Sequence, residues 1–230
     1  MRGRLQRLRD HPAVGGEYGF APILILILVS LSFQMAAPEA DWARLVTIIL
    51  QGVTLIAALH TADAHRRLLH IAYLAVAIAL LGSAGALFGS GEVGTAAAKI
   101  VTLMLVAGTP VAIGVGLVRG VRVERAVTVR TMFGVLCVYL LIGMLFSFCF
   151  SVIDHVGSTP FFTNGADEQP DFLYFSYATI TTTGYGDLIA ATDLGRSLAI
   201  IEALIGQIYL VTVVALIVAN LAPRRRARDG

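Results

Sequence analysis

Charge is what this chain has least of. Of its 230 residues, 14% are Asp, Glu, Lys or Arg and 57% are hydrophobic. A soluble domain carries roughly a quarter charged residues, and one of this size must still present a wetted, charged surface. The shortage excludes a soluble globular domain and leaves a membrane protein. Cysteine is nearly absent too, with only Cys137 and Cys149. They lie on one apolar stretch, roughly 18 Å apart along a helix, too far for a disulfide, and are expected to pack. His60, His65 and His70 are spaced by five, which does not stack ligands on one helical face. No nucleophile–base pair or metal-ligand cluster rises above chance spacing. An enzyme is therefore not expected, nor a cofactor, nor a nucleic-acid partner.

What the chain does have is apolar length. Runs long enough to span a bilayer, about 17–25 residues each, lie near 20–37, 43–60, 68–88, 97–118, 131–153 and 194–222. In lipid, only a helix satisfies its own backbone hydrogen bonds one segment at a time. The expected fold is an all-α membrane protein of six transmembrane helices. A shorter segment near 171–182, "DFLYFSYATITT", has the length of a re-entrant helix between the fifth and sixth.

The sparse charges orient these spans. Fourteen of the 17 basic residues are arginines before the first span, in the second and fourth connections and in the tail. They are Arg2, Arg4, Arg7 and Arg9, then Arg66 and Arg67, then Arg119, Arg122, Arg125 and Arg130, then Arg224, Arg225, Arg226 and Arg228. With six spans all these lie on one side, and the acids Glu39, Asp41, Glu92, Asp154, Asp167, Glu168 and Asp171 lie on the other. The positive-inside rule then makes both termini cytoplasmic, and anionic lipid is an expected partner of the arginine clusters. A cleaved leader competes for residues 1–40, with its basic start, apolar run and "MAAPEA". Asp10 and Glu17 in a long basic region argue against it.

One stretch breaks the apolar pattern. "TITTTGYGDL", residues 179–188, is polar and glycine-bearing yet lies between two spans. Irregular backbone at membrane depth is tolerated only where it is buried in protein or lines a water-filled path. Gly184 and Gly186 permit angles that set successive carbonyls on one side of the chain. A row of carbonyl oxygens, multiplied by several chains around one axis, would replace the hydration water of a monovalent cation. Nearby acids would raise the cation concentration at the outer mouth. A glycine turn capping a re-entrant helix in a transporter is the bland alternative.

The string TTTGYGD resembles the selectivity filter of potassium channels, in which rings of TVGYG carbonyls set selectivity. Thr182, Thr183, Gly184, Tyr185 and Gly186 match it position for position, with Thr at 183 for the more frequent Val. The wider pattern T-x-x-T-x-G-Y-G-D is met by Thr179, Thr182, Gly184, Tyr185, Gly186 and Asp187. The resemblance implies a homotetramer of the plasma membrane that conducts potassium passively, with the ion held at Thr182, Thr183, Gly184 and Tyr185. It divides the chain into a peripheral four-helix domain with a basic linker (1–130), a pore module (131–222) and a basic tail (223–230). Gly206 falls where many relatives have a gating-hinge glycine, close helix packing being the alternative. Gln207 is the expected cavity-facing polar residue, with Val211, Val214 and Val218 continuing its face. Some relatives support the aspartate after GYG with a glutamate where this chain has Ala178, so Tyr174 is expected to hold Asp187 instead. Glu202, an acid within the last span, is expected behind the filter as a regulatory group.

The layout also resembles six-span voltage-gated-type subunits, but the chemistry of a sensor does not follow. A sensor needs several arginines at every third position inside the fourth span; residues 100–118 contain no charge. Arg119, Arg122 and Arg125 have that spacing but follow a complete apolar span and are interrupted by Glu124. They are expected to form a basic helix on the inner leaflet. Only eight residues follow Ala222, so ligand control is expected from another chain. The competing readings are a nonselective or voltage-gated cation channel, or a non-conducting transport subunit.

Overall fold

The computed structural model describes residues 19–37, 40–62, 66–87, 103–117 and 129–221. Those residues form seven helices: α1 (Ala21–Ala36), α2 (Asp41–Thr61), α3 (Arg66–Leu87), α4 (Leu103–Leu117), α5 (Val129–Val156), α6 (Gln169–Ile180) and α7 (Asp193–Leu221). Among the described residues there is no strand, and the one extended pairing is an isolated antiparallel bridge, Phe162 with Ala190. Each expected span coincides with a helix. Of the expected spans, residues 88, 97–102, 118 and 222 lie outside the described ones.

Three of the helices are long and apolar enough to cross a membrane, over Trp42–Thr61, Thr131–Val156 and Asp193–Val213. The apolar helices α1 and α4 are shorter, at about 24 and 22 Å against a hydrocarbon core of about 30 Å. The first arginine cluster, His65, Arg119, Arg122 and Arg125, and the tail fall outside the described residues.

Small residues set how closely the helices approach. A Cβ at Gly52 would lie 2.8 Å from Val76, so α2 and α3 touch there backbone to side chain. At Gly134 it would meet Leu117 at 2.6 Å and Phe20 at 3.1 Å, which seats α4 and the start of α1 against α5. Such crossings follow from membrane helix association by close packing rather than by exclusion from water. On α5, Cys137, Leu141, Met144 and Phe148 recur at helical spacing and form one core with Phe20, just before α1, and with Ile23 and Ile27 of α1. Both cysteines are free, Cys137 within this core. Polar residues of α1 and α2 also turn inward: Gln51 donates to the Met144 sulfur at 2.9 Å, and Gln34 to Ser30.

A second core is almost purely aromatic. Phe150, Phe161, Phe162 and Phe172 are buried, with Phe146 and Phe175 against them. Ring centroids lie 4.9–6.0 Å apart and most pairs meet edge-on or tilted. That geometry sets the positive edge of one ring against the negative face of the next, at about 0.5–1.5 kcal/mol per pair beyond area. The cluster anchors the loop between α5 and α6. Asp154 accepts from the Phe161 N–H at 2.7 Å, and Thr163 N–H and Ala191 N–H donate to Ile189 and Phe161 carbonyls. The loop and the segment before α7 are thus strapped together on one side of α6.

Phe150 touches Phe146, Phe161 and Phe175 at once and is fully buried. Phe150→Ala is expected to lower unfolding stability by about 3–5 kcal/mol, read as the denaturation midpoint in detergent. Val156→Ala, on the same helix at an exposed position, is expected to change it by about 0.5 kcal/mol or less.

Candidate functional site

The site begins with the way α6 starts and stops. Pro170 sits in its first turn, and Asp171 accepts the Glu168 N–H at 3.3 Å, so the start is capped from within. At the other end Thr182 N–H donates to the Thr179 carbonyl at 2.9 Å and Thr183 N–H to the Ala178 carbonyl at 2.8 Å. That pair of bonds is a Schellman motif, in which the residue past the cap takes a left-handed conformation and is usually glycine. Here it is Thr182, with φ +58°, the one non-glycine residue at positive φ among the described residues. A β-branched residue there is disfavoured by roughly 1–2 kcal/mol.

Its hydroxyl explains the exception. Gln207 Nε2 of α7 donates to Thr182 Oγ1 at 3.0 Å, and that hydroxyl donates to the Thr181 carbonyl at 2.7 Å. Thr181 and Thr183 hydroxyls also meet, at 2.8 Å. The Thr182 side chain therefore joins the end of α6 to α7, a link glycine could not make.

The same left-handed sign recurs at Gly184, φ +54°, and Gly186, φ +82°, while Thr183 and Tyr185 do not have it. Alternating hands turn successive N–H groups to one side and so turn the carbonyls to the other. Gly184 N–H shares the Ala178 carbonyl at 3.1 Å. The N–H groups of 182–184 are thus all taken by the end of α6, while none of the carbonyls of 182–186 accepts a hydrogen bond among the described residues. Residues 181–187 are exposed on the single chain. The outcome is a strip of unpaired carbonyl oxygens beside the negative end of a helix dipole, an arrangement that favours a cation.

Behind the strip, side chains of three helices grip one another's main chain. Tyr177 of α6 donates to the Leu140 carbonyl at 2.5 Å, Tyr139 of α5 to the Ile180 carbonyl at 3.2 Å, and Tyr209 of α7 to the Val135 carbonyl at 2.7 Å. Tyr139 and Tyr209 also stack, 5.9 Å between centroids. Gly143 makes room for the Tyr177 ring, which lies 3.0 Å from where its Cβ would be. Ser176, fully buried, bonds both the Gly143 carbonyl and Glu202.

In front, Tyr174 donates to Asp187 at 2.8 Å and stacks on Tyr185 with 11° between the rings. The hydrogen bond to Asp187, then some desolvation and the nearby negative charge, raise the Tyr174 phenol above the ordinary tyrosine value. The sign follows: the bond is fully present below the ordinary value near pH 10 and is lost as pH rises through the raised one.

The sequence-predicted residues are therefore brought together. Thr179, Thr182–Asp187 and Tyr174 form one continuous feature, with Gln207 touching it and Glu202 at the back. Gly206 is buried in unbroken helix, and a Cβ there would meet the Ile180 carbonyl oxygen at 2.5 Å, so α7 and the end of α6 are in close contact at this glycine. Val211 is exposed, while the side chains of Val214 and Val218 lie outside the described ones. Ser176, Gly143 and the three tyrosines at 139, 177 and 209 were not anticipated; nothing in their spacing marks them.

Residues 134–222 match the family model described as an ion channel. The match runs from near the start of α5 through α6 and the carbonyl strip to the end of α7, less than half of the chain. No curated protein and no solved structure matches. This stretch is similar to ion-channel domains, and the helices long and apolar enough to cross a membrane suit a membrane protein.

Gly206→Ala is expected to displace the end of α6, because the atom in the way is a backbone oxygen. The cost should be about 1–3 kcal/mol, seen as a lowered midpoint in detergent. Gly114→Ala, where a Cβ meets nothing within 4 Å, is the control and should be neutral or slightly stabilising.

Proposed function

We propose that the chain is a subunit of a potassium-selective channel, four copies of which surround one conduction path. The observation that carries this reading is the strip of unpaired carbonyls over Thr182–Gly186, with its alternating backbone hand. Unpaired backbone oxygens at membrane depth cost several kcal/mol each unless they meet water or an ion. One strip faces a cation from one side only, and the chain has no second TTGYG, so closure requires identical copies about an axis. Four follows from the resemblance of TTTGYGD to potassium-channel filters. Residues 131–222 form the pore module, with α6 re-entrant between α5 and α7. Residues 1–130 form a peripheral domain of four further spans, and 223–230 a basic tail. The plasma membrane follows from the same resemblance, and the arginine distribution favours both ends in the cytoplasm with anionic lipid beside the arginines.

Thr182 would serve twice, its carbonyl and hydroxyl at the inner end of the path with Gln207 fixing the hydroxyl. Tyr174 would keep Asp187 and the Tyr185 ring in place at the outer end, a role that in some relatives falls to a glutamate. An open cleft of about 430 Å³ between α1, α6 and the strip, with Tyr174, Tyr177 and Tyr185 on its wall, leaves room for a neighbouring copy. Gly206 remains a proposed hinge, now with a packing duty besides.

Planar-bilayer recording tests the reading. The reversal potential should follow the potassium gradient and ignore sodium, Gly184→Ala should abolish current, and Tyr185→Asp should lower potassium-over-sodium selectivity in any channels that still conduct. A reversal potential indifferent to potassium overturns the assignment, and native mass measurement giving an active monomer or dimer overturns the fourfold path.

Gating should respond only weakly to voltage. Residues 103–117 make an uncharged α4, and a steep sensor moves three to four charges per subunit across the field. The conductance–voltage relation is expected to carry no more than roughly one or two elementary charges. A steep relation that Arg119→Gln or Arg122→Gln flattens would put those arginines in the field.

A further inference from the structure

Ser176 poses a question of proton count. Its hydroxyl oxygen lies 2.6 Å from the Gly143 carbonyl and 2.5 Å from Glu202 Oε1, and both are hydrogen-bond acceptors if Glu202 is ionised. A serine hydroxyl has one proton to give. An ionised Glu202 would leave one of these two close oxygen pairs without a hydrogen between them.

The surroundings sharpen the question. Ser176 and Glu202 are both fully buried. The second carboxyl oxygen, Oε2, has no hydrogen-bond partner, and Glu202 makes no ion pair among the described residues. The titratable groups facing it are Tyr139 and Cys149 of α5 and Tyr177 of α6. Each is uncharged when protonated, and none brings positive charge. Arg196, on the same helix, is spent on the Ala190 carbonyl and Asp193 at the surface. Leaving a buried charge unpaired is the costly case, and an orphaned neutral carbonyl oxygen a far milder one.

We infer that Glu202 is a neutral carboxylic acid that donates to Ser176, which donates in turn to the Gly143 carbonyl, so that one relay of two protons ties α7 to α6 to α5 behind the carbonyl strip. Both short contacts then carry a proton, and the residual orphan is a neutral acceptor. Glu202 is a positioning residue: it touches nothing that the ion would touch and acts through the face of α6 opposite the strip. The inference rests on hydrogen-bond geometry and does not require that the protein conduct.

Infrared spectroscopy of the purified full chain at neutral pH tests it. A carbonyl stretch of a protonated carboxylic acid is expected above the amide band. Uniform labelling with glutamate carrying carbon-13 at its side-chain carboxyl should shift the band downward, and E202Q should remove it. The labelling arm needs no variant and stands even if one fails to fold. In detergent, E202Q should hold the denaturation midpoint, since its amide N–H can donate to Ser176. E202L, of similar size without a donor, should lower it by about 4 °C or more. A spectrum without a glutamate acid band, or an E202L midpoint equal to wild type, overturns the proposal. Either result leaves the conduction measurements above untouched, so the two readings fail separately.

Discussion

Everything around the candidate site depends on where the backbone N–H groups of 182–184 go. Buried backbone donors and acceptors must be paired, and at membrane depth no water stands by to relieve a mistake. Here the carbonyls at the end of α6 capture those donors. The one act caps a helix and strips an extended segment of its donors' freedom, which is why its acceptors are left over. The short helix is therefore as much a part of the strip as the glycines are. Bonds from Tyr177 to Leu140 and Ser176 to Gly143 hold that helix against α5, and the Ser176–Glu202 and Gln207–Thr182 bonds tie it to α7.

Two kinds of core support this arrangement, and they differ for a reason. Helices α1 to α5 share an aliphatic core and approach most closely at glycines such as Gly52 and Gly134, as expected where lipid competes equally for apolar surface. The loop between α5 and α6 has no regular structure of its own to pair its backbone. There the structure uses interlocked phenyl rings, one carboxylate cap and two main-chain bonds to the segment before α7. Helix α7 is the odd member: little of its span is buried within the single chain. Its contacts inside the chain are concentrated at Glu202, Gly206, Gln207 and Tyr209, all of which touch α5, α6 or the strip.

Much of this was legible in the sequence. Apolar run length placed five of the helices within a few residues and enclosed the described part of a sixth, α4, because a lipid-exposed run has one way to pair its backbone. The TTTGYGD string located the strip, because glycine at alternate positions is a backbone requirement written as a residue type. The bond from Tyr174 to Asp187 was anticipated only through the resemblance, because some relatives have a glutamate where this chain has Ala178. What stayed hidden was anything decided by distance across helices. Ser176 lies 26 positions from Glu202, and Tyr139 lies 41 from Ile180; no local period connects them. Gly206 was visible as a glycine in a helix, but only the structure shows the Ile180 oxygen against it. The left-handed backbone of Thr182 hid most completely, because such a cap normally announces itself with glycine.

That threonine has a consequence for how the protein can change. Glycine at 182 would relax the backbone and leave the capping bonds intact, since both are made by main-chain atoms. It would also delete the hydroxyl on which Gln207 rests. The locally most comfortable residue and the one that links α6 to α7 are different residues, so backbone preference and the helix link compete within a single side chain. Stabilising searches guided by backbone preference alone would select the wrong residue here. At Gly184 and Gly186, by contrast, backbone comfort and the open strip ask for the same residue, and no such conflict exists.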